Sequence, residues 1–329
     1  MVLVSVRVNM LSSDCRILVS HWLIFSTLLS LAPGQRQPRG CVIDGIDMCG
    51  YESHQEMVGK LRNLQLEHPT LVRVNSIGRS VRGQDLVYIK ISGNVGRRSF
   101  MEPMFKYVGN MHGNEVVGRQ LLIYLAQYLV SNYGRDQRIT SLVNNTEIFL
   151  MPTLNPDGYQ VSSEGACTLG GGRGRENARN RDLNRNFPRR LEDANKPYEQ
   201  LLEDREPETQ AAMHWIRSTP FVLSANLHGG AVVASYPYDD SRRHISRGFY
   251  SGSPDDKMFR YLAETYSRNH RVMHRNIKCT PDDNFPGGVT NGAHWYDVPG
   301  DDDDDDDFDI DVDICRRNAG LQLHLQQRI

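Results

Sequence analysis

Short apolar segments alternate with amphipathic helical segments between residues 53 and 269 of the 329-residue chain. The segment Phe221–Leu227 is almost continuously apolar, which is typical of a strand buried on both faces of a sheet. Strands that alternate with helices favour a sheet whose two faces are covered by those helices. The pattern therefore predicts one α/β domain with a mixed, largely parallel sheet flanked by helices.

Local signals set the predicted boundaries of the elements. Ser53-His54-Gln55-Glu56 is a capping-box pattern, and it predicts a helix that ends before Pro69. Asn155-Pro156-Asp157-Gly158 predicts a turn after a strand. Further strands are predicted at residues 71–77, 85–91, 104–108 and 147–151, and further helices at residues 115–130, from Pro207 onwards and at residues 254–269.

Residues 1–34 have the features of a secretory signal peptide. Arg16 precedes an apolar run at residues 17–32, and Ala32-Pro33-Gly34 offers small residues at positions −3 and −1 before a cleavage site at Gln35. An uncleaved signal anchor is the alternative, because the run approaches the length of a short transmembrane span. The preferred interpretation is a secreted protein that keeps no membrane span after cleavage.

Secretion makes disulfides and glycosylation relevant. The sequence has six cysteines, and five remain once Cys15 leaves with the signal, so at least one is unpaired or intermolecular. Cys41 and Cys49 lie close enough in sequence to bridge each other. Asn144-Asn145-Thr146 is a glycosylation sequon, and we expect it on a surface loop.

The charge distribution argues against nucleic-acid binding. The net charge is −2, and residues 300–329 hold ten Asp against three Arg, which leaves only +5 for residues 1–299. No basic stripe with interleaved aromatic residues is present. Asp301–Asp307 repel one another, so residues 301–329 are predicted to form an acidic, disordered tail. A Ca²⁺ site there is disfavoured, because the run lacks a glycine-containing loop and a bidentate Glu.

A His and a Glu three residues apart stand where a predicted strand ends and a helix begins. His112 and Glu115 occupy this position, and His228 follows the apolar strand Phe221–Leu227. Ligands bind at the carboxyl ends of strands in such sheets, and two His with one Glu form a known catalytic zinc set. A lone H-x-x-E is a weak motif in a chain with eleven histidines. Four others are interpreted as surface or core residues: His214, His270, His274 and His294.

A polar, glycine-rich stretch at residues 162–188 is too long for a plain connector. Arg175, Asn184 and Arg185 within it have the chemistry of a bidentate clamp for a carboxylate. A phosphate-binding loop is the alternative, although the stretch has no Walker-type Gly-Lys-Ser/Thr and no clean GxGxxG. A solvated basic loop is the other alternative.

Five sequence blocks in order resemble the zinc metallocarboxypeptidases, and more narrowly the regulatory subfamily of carboxypeptidases D, E, N and M. The similarity covers about residues 51–300, within a predicted zinc domain at residues 35–300. The blocks are KYVGNMHGNE at 106–115, LNPDG at 154–158, DLNRNFP at 182–188, SANLHGG at 224–230 and GVTNGAHWY at 288–296.

The resemblance implies a catalytic Zn²⁺, one per chain, held by His112, Glu115 and His228. Arg175 matches the arginine that polarises the scissile carbonyl and stabilises the oxyanion, a role that needs a fixed positive charge where negative charge develops.

The same resemblance implies a peptide or protein C-terminus as substrate. Asn184 and Arg185 match the pair that binds the terminal carboxylate, and Tyr296 matches the tyrosine that closes over the substrate. Asp239 stands eleven residues after His228, where the subfamily has the acid that selects a C-terminal Lys or Arg.

The chain departs from the family after Tyr296. Relatives place a general-base glutamate some twenty residues further on, whereas Glu264 is the last glutamate here and Asp301–Asp307 follow. The resemblance therefore implies a domain that is incomplete at its C-terminus, without the final strand, the closing helix and the transthyretin-like sandwich. Low activity and low stability are expected. Nothing in the sequence positions the aspartates that are alternative bases: Asp309, Asp311 and Asp313.

The same loss implies that Cys167 and Cys279 lack their usual partners. The leading hypothesis is a secreted zinc carboxypeptidase that removes C-terminal Lys or Arg. The rival is a non-catalytic product that binds zinc or peptide ends. A zinc amidohydrolase acting on acylated amino acids is disfavoured by Asp239 and by the pair Asn184 and Arg185.

Overall fold

The computed structural model describes residues 42–43, 46–47, 50–98, 101–163, 172–242, 248–296 and 311–313. The predicted signal peptide and most of the acidic tail lie outside these residues. Among the described helices, none combines the length and hydropathy needed to cross a bilayer.

A mixed sheet of eight strands forms the centre of the described structure, in the order β3-β4-β6-β5-β7-β10-β8-β9. The pairs β5/β6, β5/β7, β7/β10 and β8/β9 are parallel, and the remaining three pairs are antiparallel. The predicted mixed, largely parallel sheet is confirmed. The strands are β3 (Val72–Arg79), β4 (Asp85–Ile91), β5 (Met104–Gly109), β6 (Glu147–Met151), β7 (Phe221–Leu227), β8 (Val233–Tyr236), β9 (Val289–Asn291) and β10 (Asp311–Asp313), with β1 (Val42–Ile43) and β2 (Ile46–Asp47) as a separate hairpin.

Helices pack on both faces of this sheet. Residues of α1, α2, α3 and α7 share one apolar core with the sheet, and residues of α6 share a second core with its other face. Alternate residues of β6 divide between the two cores, because Ile148 and Leu150 join the first and Phe149 and Met151 the second. The helices are α1 (His54–Glu67), α2 (Val116–Asn132), α3 (Gln137–Asn145), α4 (Pro156–Val161), α5 (Tyr198–Leu201), α6 (Pro207–Ser218), α7 (Asp256–Asn269) and α8 (Gly292–Trp295).

The predicted capping box at the start of α1 is confirmed. The Ser53 side chain accepts from the backbone N–H of Glu56, and the Glu56 carboxylate accepts from the N–H of Ser53 at 2.8 Å. Each side chain satisfies a backbone donor that a helix start otherwise leaves without a partner.

The structure corrects the sequence interpretation at three places. The sequon lies at the exposed C-terminal end of α3 rather than on a loop. Cys279 is disulfide-bonded, against the expectation that its partner is lost, and the partner lies outside the described residues. Asp311–Asp313, within the predicted disordered tail, form β10 between β7 and β8. The repulsion that motivated the prediction arises in Asp301–Asp307, whereas β10 contains two Asp separated by Val312 and pairs with strands on both sides.

Helix α2 packs closely on β7 at Gly118. A Cβ built on Gly118 would stand 2.6 Å from the Leu227 Cβ and 3.2 Å from the Leu227 carbonyl oxygen. Both atoms belong to or adjoin the backbone, so neither can move aside cheaply. Glycine therefore sets the distance between the start of α2 and the end of β7.

We expect Gly118→Ala to destabilise the domain, because a methyl group forced into a packed contact costs about 1–3 kcal/mol. Gly59→Ala on α1 is the matched control, since a Cβ there meets nothing within 4 Å. The control should gain up to about 1 kcal/mol of helix propensity. Denaturant unfolding measures both, and equal free energies of unfolding for the two variants would contradict the packing assignment.

Candidate metal centre and active site

The strands β5 and β7 are adjacent and parallel, and their carboxyl ends carry the predicted ligands. Gly109 at the end of β5 pairs with Leu227 at the end of β7. His112 lies three residues beyond the first strand end, and His228 directly follows the second. Glu115 is the N-cap residue of α2. The sheet therefore brings residues more than one hundred positions apart to the same edge.

Asn110 holds the turn that carries His112 and Glu115. Its backbone is in the left-handed region at φ 55°. Its Nδ2 donates to the carbonyls of His112 and Gly113, both at 2.9 Å, while its Oδ1 accepts from the Thr153 hydroxyl at 2.7 Å. Because the side chain is fully buried, these bonds fix the turn firmly.

The donor atoms of His112, Glu115 and His228 converge on one point. Nδ1 of His112 lies 3.0 Å from Glu115 Oε1 and 3.1 Å from Nδ1 of His228, which lies 2.9 Å from Glu115 Oε2. Donors bound to one tetrahedral zinc ion at about 2.05 Å stand about 3.3 Å apart. Within the described residues, these three side chains form a group whose donor atoms lie close enough together to hold one metal ion. The donor set fits zinc.

Burial and charge act in opposite directions on the pKa values of this cluster. Burial raises the pKa of Glu115, but His112 and His228 outweigh it and hold that pKa well below its usual range. Burial lowers the pKa of His228, and the nearby Glu115 does not offset it, so the ring favours its neutral form. An ionised carboxylate and a neutral imidazole are the protonation states that a metal ligand needs.

Asp182 orients His112 from the side away from the cluster. Its Oδ1 accepts from Nε2 of His112 at 2.9 Å, and Nδ1 of the same ring faces the other donors. Burial raises the pKa of Asp182, but His112 and Arg175 outweigh it and keep the group ionised. A carboxylate on the second ring nitrogen is the usual support of a metal-binding histidine.

Neither Asp182 nor Asn110 was predicted as a site residue from the sequence. Both stand inside the blocks that carried the family resemblance, at 182–188 and 106–115. The sequence offered two signals. Asp182 is an acid inside the segment interpreted as a carboxylate clamp, and Asn110 precedes a glycine-containing turn. Neither signal names the partner atom, which lies 70 residues away for Asp182 and 43 residues away for Asn110.

Arg175, which the resemblance assigns to the reacting carbonyl, lies against the ligand cluster. Its Nη1 stands 3.3 Å from Nδ1 of His112 and donates to Glu115 Oε1 at 3.4 Å. Its Nε donates to Asp182 Oδ2 at 3.0 Å. The carbonyl of Arg175 accepts from Gly113 N and from Asn155 Nδ2. Side chain and backbone are thus both anchored to the metal-ligand turn.

The predicted carboxylate clamp and the predicted closing tyrosine come together. Asn184 and Arg185 lie on a 3₁₀ turn, Leu183–Arg185, which Asp182 caps by accepting from the Asn184 N–H. The Arg185 guanidinium stands 5.8 Å from the centre of the Tyr296 ring, which is 41% exposed. A partly exposed ring beside a guanidinium suits a group that covers a bound ligand.

Asp239 lies on the segment that follows β8, directly against the backbone that leads to Tyr296. A Cβ built on Gly292 would stand 1.4 Å from Asp239 Oδ1. Only a glycine at position 292 leaves room for this carboxylate, so the two segments are matched. Asp239 therefore contacts Gly292, which lies four residues before the predicted closing tyrosine, Tyr296.

The histidines set aside in the sequence analysis are exposed or half-buried: His214, His270, His274 and His294.

Residues 57–327 match the family model described as zinc carboxypeptidase. The chain belongs to the zinc carboxypeptidase family. Carboxypeptidase D of Drosophila melanogaster is 49% identical over 251 residues, which are 76% of this chain and 18% of that protein. Human carboxypeptidase D is 47% identical over 73% of this chain and 17% of the relative. The catalytic chain of rat carboxypeptidase N is 44% identical over 75% of this chain and 58% of the relative.

Solved structures agree on the fold of this zinc carboxypeptidase. The carboxypeptidase A of Helicoverpa armigera matches with a TM-score of 0.56 at 21% identity, over 76% of this chain and 59% of that chain. Thrombin-activatable fibrinolysis inhibitor matches with a TM-score of 0.55 at 21% identity, over 77% and 62%. The match therefore spans less than two thirds of the length of these relatives, and under a fifth of the fly and human carboxypeptidases D.

We expect the purified protein to hold about one zinc ion per chain, measured by elemental analysis. His112→Ala should lose the ion, because it removes one of three converging donors. Asp182→Asn should lower zinc affinity roughly 10–100-fold, since it removes the support of His112. His274→Ala is the matched control and should retain the metal. Undiminished zinc in His112→Ala would remove this residue from the ligand set.

Proposed function

We propose that this zinc carboxypeptidase acts on peptides and proteins that end in Lys or Arg. The observation that carries the proposal is the convergence of His112, Glu115 and His228 with the Arg175 guanidinium 3.3–3.4 Å away. A metal site with a fixed cation at its rim suits hydrolysis of a bond whose carbonyl oxygen becomes negative.

When bound, Zn²⁺ supplies Lewis-acid polarisation of the scissile carbonyl and a lowered pKa for water. The protein residues supply position and charge. Arg175 presents Nη1 toward the cluster while its Nε bond to Asp182 prevents the guanidinium from turning away. Preorganised charge of this kind needs no rearrangement as the oxyanion develops, which is why it lowers the barrier.

The substrate's terminal carboxylate is assigned to Asn184 and Arg185. A guanidinium offers two parallel N–H donors that match a carboxylate, and the Asn184 amide adds a further donor. Both residues belong to the 3₁₀ turn that begins beside Asp182. A single segment therefore orients a metal ligand and holds the substrate end, which limits cleavage to the last peptide bond.

Two further features support a preference for Lys or Arg. Asp239 is half-buried beside Gly292, on the segment that continues to Tyr296. A half-buried carboxylate at a substrate site attracts a cationic side chain and gives no such attraction to an apolar one. The similarity to carboxypeptidases D and N, which extends over this region, adds to the inference.

The test is release of C-terminal Arg from a synthetic peptide, with and without a chelator, beside the same peptide ending in Leu. Chelator-sensitive release that prefers Arg would support the proposal. Release of Leu at the same rate would contradict the specificity. Release of an acyl group from an acylated amino acid, without peptide cleavage, would favour an amidohydrolase instead.

A second candidate is a protein that binds peptide ends without cleaving them. Glu264, the last glutamate of the sequence, pairs on α7 with Arg260 at 3.0 Å and Arg268 at 3.1 Å. General acid–base catalysis typically contributes ~10²–10⁴ in rate, so a site without a positioned base turns over slowly. We expect binding of the Arg peptide with turnover at least ~100-fold below that of a carboxypeptidase that has a positioned glutamate.

The register of β10 identifies the residue to change if turnover is found. Asp311 pairs with Asn226, and Val312 pairs with Leu227. Asp313 and His228 are therefore the residues that follow paired positions on adjacent parallel strands. Asp313→Asn should abolish such turnover if this strand supplies the base, and Asp309→Asn is its control. Fast turnover in both variants would assign the base to another residue.

We expect Asp239→Ala to lose the preference for Arg over Leu. A cation left without its partner in a buried pocket costs up to roughly 3–5 kcal/mol, enough to cancel the selectivity. Peptide binding and release rates measure the ratio. An unchanged ratio would remove Asp239 from the specificity pocket, and retained zinc would show that the metal site itself was intact.

Secretion and glycosylation at Asn144 are also proposed, on the strength of the apolar run at residues 17–32 and of the exposed sequon. N-terminal sequencing of protein recovered from the medium of expressing cells should begin at Gln35. Protein retained in the membrane with residues 1–34 attached would instead support a signal anchor.

A further inference from the structure

An ion pair links residues 182–190, the clamp segment that carries Asn184 and Arg185, to residues 238–240, the specificity segment that carries Asp239. Arg190 lies five residues beyond Arg185, and its Nε donates to Asp240 Oδ1 at 2.8 Å. Its Nη2 donates to the same oxygen, and its guanidinium carbon stands 3.8 Å from the centre of the Tyr238 ring. Asp240 is 3% exposed, so the bond is shielded from water. Arg190 therefore contacts both neighbours of Asp239 in the sequence, Tyr238 and Asp240.

The backbone around Asp239 is held by Tyr238 as well. Tyr238 N donates to the carbonyl of Ser251 at 2.9 Å, and its own carbonyl accepts from Ala293 N at 2.8 Å. These bonds tie the segment to the one that carries Tyr296. The contact of Arg190 with Asp240 and Tyr238 joins the same segment to the clamp segment.

We propose that Arg190 is a positioning residue for specificity, which fixes Asp239 at a set distance from Asn184 and Arg185. A C-terminal residue carries its carboxylate and its side chain on one Cα, so both binding groups must stand at a matching separation. The inference rests on the proposed function, because it assigns the clamp to Asn184 and Arg185 and the pocket to Asp239.

Charge and position predict opposite effects for the loss of Arg190. By Coulomb attraction alone, removing a cation near an acidic pocket should strengthen binding of a cationic side chain. If Arg190 holds the segment in place, its removal leaves Asp240 buried without this partner and lets Asp239 shift, so binding should weaken. The sign of the change therefore separates the two explanations.

The experiment compares binding of two peptides, one ending in Arg and one ending in Leu, to the zinc-loaded full chain by calorimetry. Arg190→Met keeps the aliphatic stem and removes the charge and the fork of donors. We expect the preference for the Arg peptide to fall roughly 10-fold or more, because a displaced Asp239 no longer pairs well with the cationic side chain. Arg190→Lys keeps the charge and should recover part of the preference.

Arg217→Met is the matched control. Arg217 lies on α6, and its guanidinium carbon stands 3.9 Å from the centre of the Tyr198 ring on α5. It removes an arginine–tyrosine contact of similar geometry and should leave the preference unchanged. Thermal unfolding and zinc content of each variant report on the fold and the metal site. A preference that is unchanged or increased in Arg190→Met, with wild type selective, would overturn the inference.

A double variant tests whether Arg190 acts through Asp240. Asp240→Asn alone, Arg190→Met alone and the two together should lower the preference to the same level, because each breaks one shared contact. Additive losses would show that the two residues act independently and would overturn the positioning role. If the wild-type chain binds both peptides equally, the proposed specificity fails first, and this outcome is distinct from a failure of Arg190.

Discussion

The parallel pairing of β5 with β7 is the constraint on which the site depends. Because the strands run side by side, the turn after β5 and the first residue after β7 emerge at one edge, and His112 meets His228 at 3.1 Å. The tight contact of Gly118 with Leu227 then sets the start of α2, which carries Glu115, against the same edge. Any change in this pairing or packing separates the three donors.

Around the donors, one polar network serves several purposes. Asp182 accepts from His112 and from Arg175, and it also caps the turn that carries Asn184 and Arg185. An ionised carboxylate at the centre of these bonds joins His112 to Arg175, the proposed oxyanion-stabilising residue, and to the proposed carboxylate clamp. The contact of Arg190 with Asp240 is a second, largely buried ion pair, and its proposed role is to fix the position of Asp239 rather than to add stability.

The chain also shows that strand formation depends on the neighbours as much as on the segment itself. Seven consecutive aspartates and three more that alternate with Phe, Ile and Val predict self-repulsion. Asp311–Asp313 nevertheless form a strand, because both β7 and β8 offer backbone groups on either side of it. The location of that strand beside the end of β7 gives the acidic segment a register that its composition did not predict.

The sequence by itself determined the fold class and most strands and helices, which follow from local signals such as apolar alternation and a capping box. The candidate metal donors followed from the ordered blocks that resemble a known family, because a lone H-x-x-E is a weak signal. Only the tertiary structure decided which ring nitrogen of His112 faces the cluster, that Asp182 supports it, and that Gly292 makes room for Asp239. Those contacts join segments at least 50 residues apart in the sequence, and 70 residues separate His112 from Asp182. Strand order brings such segments together, and no local pattern encodes strand order.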